Sequence, residues 1–190
     1  MNERRLERQR LQRRTLLERA MDRAVRDGFD ALDPGELARD AGVSLRTPGL
    51  LEDLFFPEHA ETLMLLGEML ERVGLLETCL ALARHQEDER DHWLRRLAFI
   101  DSQNRLHAHR VRLDSDIQAA FAVHFQRWGA AGPAGDRAAV FEAAYVVAAL
   151  REAERLWVAG YGRPPLPVLV HEALSILWPA LYPHAQRHMR

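Results

Sequence analysis

His107 and His109 stand two residues apart, with Asp114 and Asp116 downstream and His85 and His92 upstream. Imidazole nitrogens and carboxylate oxygens are the donors that hold zinc and similar divalent ions, so the segment can be tested first as a metal site. On a helix, residues two apart diverge by about 200° and cannot share one ion. His107 shares a face with Asn104 and Arg110, and a guanidinium is no ligand. Surface histidines are the better reading, and no metal is expected. The sequence contains no HExxH, GxSxG, CxxC or phosphate-cradling glycine loop, so neither catalysis nor a cofactor has positive support. The single Cys79 lies between Leu76 and Leu80 in an apolar helical pattern, which predicts a buried, inert thiol and suits a reducing cytoplasm.

Phosphate chemistry is better represented. Arg4, Arg5, Arg8, Arg10, Arg13 and Arg14 stand against Glu3 and Glu7 in the first fourteen residues. A basic extension of this kind can follow phosphates or enter a minor groove, and it also suits a solvated helix end. From Met1 to Phe56, eleven Arg face eleven Asp plus Glu, so this stretch is neutral overall, whereas a dedicated DNA-binding domain is normally basic. Across all 190 residues the formal charge is -2 and 47% of residues are apolar, which excludes disorder and a wholesale basic surface. The first residues are too polar for a signal peptide, and no stretch approaches about 18 uncharged apolar residues. A cytoplasmic protein without membrane contact is expected.

Periodicity near 3.6 residues runs through almost every segment and no strand pattern is present, so the fold class is all-α. The first helix should span Glu3 to Asp27, burying Leu16, Leu17, Ala20, Met21 and Ala24. Asp33, Pro34 and Glu36 supply N-cap, N1 and N3 of a short second helix. Pro48 is costly inside a helix but nearly free at N1, which predicts a third helix from Pro48 to Phe55 with Thr47 as its N-cap. It would bury Leu50, Leu51, Leu54 and Phe55 and expose Gly49, Glu52 and Asp53. A long helix should follow from Pro57, eased near Gly74. Two more are expected from Asp88 to Val111 and Ser115 to Trp128, divided at Asp114-Ser115-Asp116. The last two should run from Asp136 to Gly160 and through LPVLVHEALSILWPAL, closed by Pro179.

Helix, tight GVS turn and short helix within the first 56 residues form a helix-turn-helix pattern. With Leu16, Leu17, Ala20 and Met21, then Gly28-Phe29-Asp30-Ala31, Leu37-Ala38, Ala41-Gly42-Val43-Ser44 and Thr47, the chain resembles the tetracycline-repressor (TetR) family of bacterial regulators. It departs from that pattern at Ala24, Pro48 and Gly49, in about four residues inserted before Phe56-Pro57, and in the missing basic residue after that pair. The resemblance implies an N-terminal three-helix DNA-binding domain (1–56) and a larger helical effector-binding and dimerisation domain (57–190). It implies duplex DNA contacts from Ser44, Arg46, Thr47 and Gly49, with His59 in place of the missing base and Arg4, Arg5 and Arg8 reaching from the arm.

The larger domain would hold a small-molecule effector among Trp93, Phe99, Phe121, Phe125, Tyr145 and Trp157, with His107 or His124 as polar anchors. Between Ala138 and Leu150, Glu142 is the only charged residue, and a helix apolar on every side needs a second cover. A homodimer through Phe141, Tyr145, Ala148, Leu169, Leu174, Leu177 and Trp178 would supply it. The expected function is an effector-responsive transcriptional regulator. The alternative is a dimer that has lost specific DNA binding and works as a small-molecule or protein-binding module.

Overall fold

A computed structural model describes the backbone of residues 3–40, 51–128 and 132–181, and the side chains of 11–40, 51–128 and 132–176. Among these residues there are seven α-helices and no strand: α1 (Glu3–Asp27), α2 (Pro34–Asp40), α3 (His59–Asp88), α4 (Arg90–Ser102), α5 (Asn104–Trp128), α6 (Pro133–Ala159) and α7 (Leu166–Leu181). Two 3₁₀ turns, Phe29–Ala31 and Leu51–Phe55, complete the set. By internal packing, Met1–His59 with Phe99–His109 form one unit, and Ala60–Ala98 with Arg110–Arg190 form another. The first unit thus ends close to the expected boundary at 56 but also takes in eleven residues, 99–109, that the sequence reading assigned to the larger domain.

In the smaller unit, α1 buries Leu16, Leu17, Ala20, Met21 and Ala24 on one stripe. Asp33 Oδ1 accepts the Glu36 backbone N–H at 2.7 Å, so α2 begins on the expected cap. Arg23 then ties the two helices together by donating to Glu36 Oε2 at 2.6 Å, and Arg19 donates to the Asp40 carbonyl.

In the larger unit, α3 bends at Gly74, whose φ of 79° is open to glycine and strained for other residues. The buried Thr78 hydroxyl donates to the Gly74 carbonyl at 2.6 Å and re-engages an acceptor beside the break. Cys79 is buried here, and burial pushes its thiol up to about 12, so it stays protonated. Two expected boundaries are corrected. The break between α4 and α5 falls at Gln103, where Ser102 Oγ donates to the Phe99 carbonyl at 2.7 Å and the run Ser102-Gln103-Asn104 offers the backbone local partners. Asp114 and Ser115 lie inside α5, because the Asp114 carboxylate is engaged by Arg151 instead of capping a helix. Pro179 likewise falls within α7 instead of closing it.

The turn from α6 into α7 is tight. A Cβ on Gly160 would meet the Arg163 carbonyl oxygen at 2.1 Å, so only glycine fits. Glu87 Oε2 accepts the Leu166 N–H at 2.9 Å and satisfies a donor of the first turn of α7.

Glu154 is the most demanding residue of this unit. It projects from α6 and is buried, and its carboxylate accepts from Arg110 of α5, from Arg151 at 2.6 Å and from Gln86 of α3 at 3.2 Å. Arg151 also donates through Nε to Asp114 at 2.9 Å. Burial pushes the Glu154 carboxyl up, but Arg151 and then Arg110 outweigh it, and the net direction is below the ordinary glutamate value. A carboxylate with a depressed folded pKa contributes stability above its unfolded pKa of about 4.3 and loses it as pH falls through the folded value. Glu154→Gln is therefore expected to cost about 3 kcal/mol at pH 7, because it strips the buried cations of their shared counter-charge. Urea titrations from pH 7 to 3 should show this deficit shrinking as the wild type acidifies; a constant deficit would contradict the assignment.

Candidate nucleic-acid interface and effector region

In the smaller unit a column of three aromatic rings supports the segment where a reading helix was expected. Phe55 is fully buried, with its ring centroid 5.6 Å from Phe29 and 5.5 Å from Phe99, stacked at 18° on the latter. Leu51, Leu54 and Phe56 pack against the same core. The expected third helix from Pro48 to Phe55 is thereby corrected over its described part: Leu51–Phe55 is a five-residue 3₁₀ turn, not an α-helix. Thr47, Pro48, Gly49 and Leu50 lie outside the described residues, as do Ser44 and Arg46.

A second correction concerns the two carboxylates expected to face a DNA groove. Glu52 is only 8% exposed and turns inward. Its Oε1 accepts from Arg105 Nε at 3.1 Å and Arg105 Nη2 at 2.8 Å. Arg105 also donates to Asp30 Oδ1 at 2.8 Å and sits 5.3 Å from the centroid of the Phe29 ring. Burial raises the Glu52 pKa, but a bond from its own backbone N–H and then the Arg105 bonds lower it, and the net direction is down. Hydrogen bonds to Asp30 and to Glu52 raise the Arg105 pKa. Asp53 lies 3.1 Å from Nε2 of the buried His109, whose ring centroid is 5.3 Å from that of Phe56. Both carboxylates thus have basic partners from the start of α5.

The remaining DNA candidates are placed as follows. Arg4, Arg5 and Arg8 fall on the helical backbone of α1, with side chains outside the described set. His59 opens α3 and is half-buried.

The effector candidates do not converge. Phe99 belongs to the core of the smaller unit, stacked on Phe55, and His107 is exposed on the same unit's segment of α5, so neither lines a site in the larger unit. Tyr145 is exposed on α6, which removes it from an internal cavity. Phe121, Phe125 and Trp157 are core residues of the larger unit, and the half-buried Trp93 packs against them with the Arg96 guanidinium 4.5 Å from its ring centroid. Trp157 Nε1 is buried and meets no acceptor among the described residues. His124 is half-buried, and burial, followed by the charge of Arg127, pushes it below the ordinary histidine value.

The dimer candidates divide. Phe141 and Tyr145 are 63% and 50% exposed on one face of α6, and Ala148 is exposed one turn on. Leu169 and Leu174 fill the larger unit's own core, so they are not available to a second subunit. The side chains of Leu177 and Trp178 lie outside the described set.

Among the described residues no helix is long and apolar enough to cross a membrane, and no group of three or more His, Cys, Asp or Glu side chains is arranged to hold a metal ion. No protein family, curated protein or solved structure matches this chain.

Arg105 and His109, the partners of the acidic turn, escaped the sequence reading in this role because they lie some fifty residues from it. The available signal was their spacing of four on one helix face, beside an acidic pair with no local counter-charge. All four Trp of the chain lie in the larger unit, which allows the two units to be followed separately. Phe55→Ala should destabilise the smaller unit by about 3–5 kcal/mol. The expected result is an early helical loss by circular dichroism with the Trp fluorescence transition unmoved; coincident, unshifted transitions would show that Phe55 does not anchor this unit.

Proposed function

We propose that this protein is a dimeric, effector-responsive transcriptional regulator of the tetracycline-repressor type that acts in the cytoplasm without enzymatic activity. The carrying observation is the smaller unit itself: α1 and an Asp33-capped α2 pack on each other, and α1 begins in an arginine-rich stretch. Phosphate contact then comes chiefly from Arg4, Arg5 and Arg8, with Ser44, Arg46, Thr47 and Gly49 nearer the bases. Because Glu52 and Asp53 are engaged by Arg105 and His109, they oppose a duplex less than two free carboxylates would. Dimerisation uses the α6 face of Phe141, Tyr145 and Ala148. An effector would act on the apolar core around Trp93, Phe121 and Phe125, shifting the population of two dimer states.

One observation favours a second reading. The described part of the expected reading helix is a short 3₁₀ turn with its first carboxylate inward, which presents little to a groove. On that reading the chain is a dimeric small-molecule or protein-binding module.

Fluorescence anisotropy on a random duplex of about 30 base pairs separates the two, since each neutralised phosphate contributes about -0.9 to the slope of log affinity against log salt. A regulator should give a slope of about -4 or steeper, and a flat millimolar response would leave only the binding module. Sedimentation tests the dimer independently. Phe141→Glu combined with Tyr145→Glu should yield a folded monomer from a dimeric wild type; a wild type that is already monomeric removes the dimer from the proposal.

A further inference from the structure

Three features of the smaller unit converge on the turn Leu51–Phe55, and all three come from Phe99–His109: the Phe99 ring on Phe55, the Arg105 guanidinium on Glu52, and His109 beside Asp53. The turn follows directly on the stretch that the regulator reading assigns to DNA. Arg105 is the most heavily used of the three. It directs Nε and Nη2 to one carboxylate oxygen of Glu52 and Nη1 to Asp30 while lying over Phe29. A salt bridge made only for surface stability contributes little. This one has a different setting, because the Glu52 side chain is 10% exposed and cannot be turned out to water without breaking the pair or moving the turn.

We propose that Arg105 is a positioning residue for DNA binding: it neutralises Glu52 and fixes the acidic turn, so that a duplex can approach the neighbouring reading segment. This rests on the DNA-binding reading above. The physical argument is one of range. The Debye length in physiological salt is about 8 Å, so an uncompensated carboxylate next to the reading segment acts on the nearest phosphates with little screening. With Arg105 in place the pair carries no net charge. Without it, the same turn carries Glu52 and Asp53 against one histidine.

The test uses the full chain, a random-sequence duplex at low salt, and the variants Arg105→Ala, Glu52→Gln and the two combined. Arg105→Ala is expected to weaken binding about tenfold, since like charges facing each other oppose association. Glu52→Gln alone should bind within about twofold of wild type, and the double variant should recover to within about threefold, because the carboxylate that Arg105 compensated is gone. The Arg105→Ala deficit should also shrink as salt rises, which a merely structural loss would not do. Circular dichroism establishes folding, and Glu52→Gln keeps the proposal testable if Arg105→Ala unfolds the unit: a folded Glu52→Gln that loses binding overturns it. Arg105→Ala binding as well as wild type, or a double variant as weak as the single, overturns the proposal and leaves the regulator reading intact. A wild type that binds no duplex overturns both.

Discussion

Glu154 is a carboxylate set in an apolar helix, and the larger unit is arranged around its need for counter-charge. An unpaired buried carboxylate would cost several kcal/mol, so at least one cation must reach it. Here two do, Arg110 from α5 and Arg151 from α6, and Gln86 brings α3 to the same oxygen pair. Asp114 then balances Arg151, so the cluster holds two acids and two bases. Apolar packing alone tolerates a helix sliding or rotating by a fraction of a turn. A charge cluster does not, because each displaced donor leaves a desolvated charge behind. The hydrophobic surfaces supply most of the driving force for this unit, and the cluster selects one register among the ways α3, α5 and α6 could pack.

The smaller unit uses the same logic with less burial. Its aromatic column Phe29-Phe55-Phe99 fixes the position of the acidic turn, and Arg105 and His109 answer the charges that the turn brings with it. This changes how the neutral charge of the N-terminal segment is understood. Counted along the chain, its acids cancel its arginines. Counted in space, Glu36 is taken by Arg23, Glu52 by Arg105 and Asp53 by His109, while the arginines of the first ten residues precede this paired core. A neutral total is compatible with an uneven field, and the field governs what approaches.

Much of the fold was legible because its signals are local. The span of α1, the Asp33 cap of α2 and the break at Gly74 each follow from residues within a turn or two of the feature. The failures share a different cause. Asp114 and Ser115 look like a cap until Arg151, thirty-seven residues away, is known to engage the aspartate. Glu52 and Asp53 look like exposed residues until a base some fifty residues on is placed beside each. Phe99 and His107 were assigned to an effector cavity because helices were counted as belonging wholly to one domain, whereas α4 and α5 are each divided between the two units. Propensity and periodicity carry no term for such pairings, so acids that satisfy distant bases are read as caps or as surface.

α6 shows what periodicity can still reveal when residue size is considered. Its inner face is built from Ala139, Ala143, Ala149 and Ala153 with Val146 and Trp157, and its outer face carries Val140, Phe141 and Tyr145. This inverts the usual arrangement, in which large apolar residues point in and small or polar ones point out. Small inward residues let α7 lie close against α6, which explains why Leu169 and Leu174 are consumed within the subunit. The large residues left outside then form an exposed apolar stripe. Scattered surface hydrophobes are ordinary, but an aromatic pair one turn apart on a helix with almost no charge is not. A helix that contributes alanines to its own core and aromatics to its outside is built for two neighbours, one in the same chain and one beyond it.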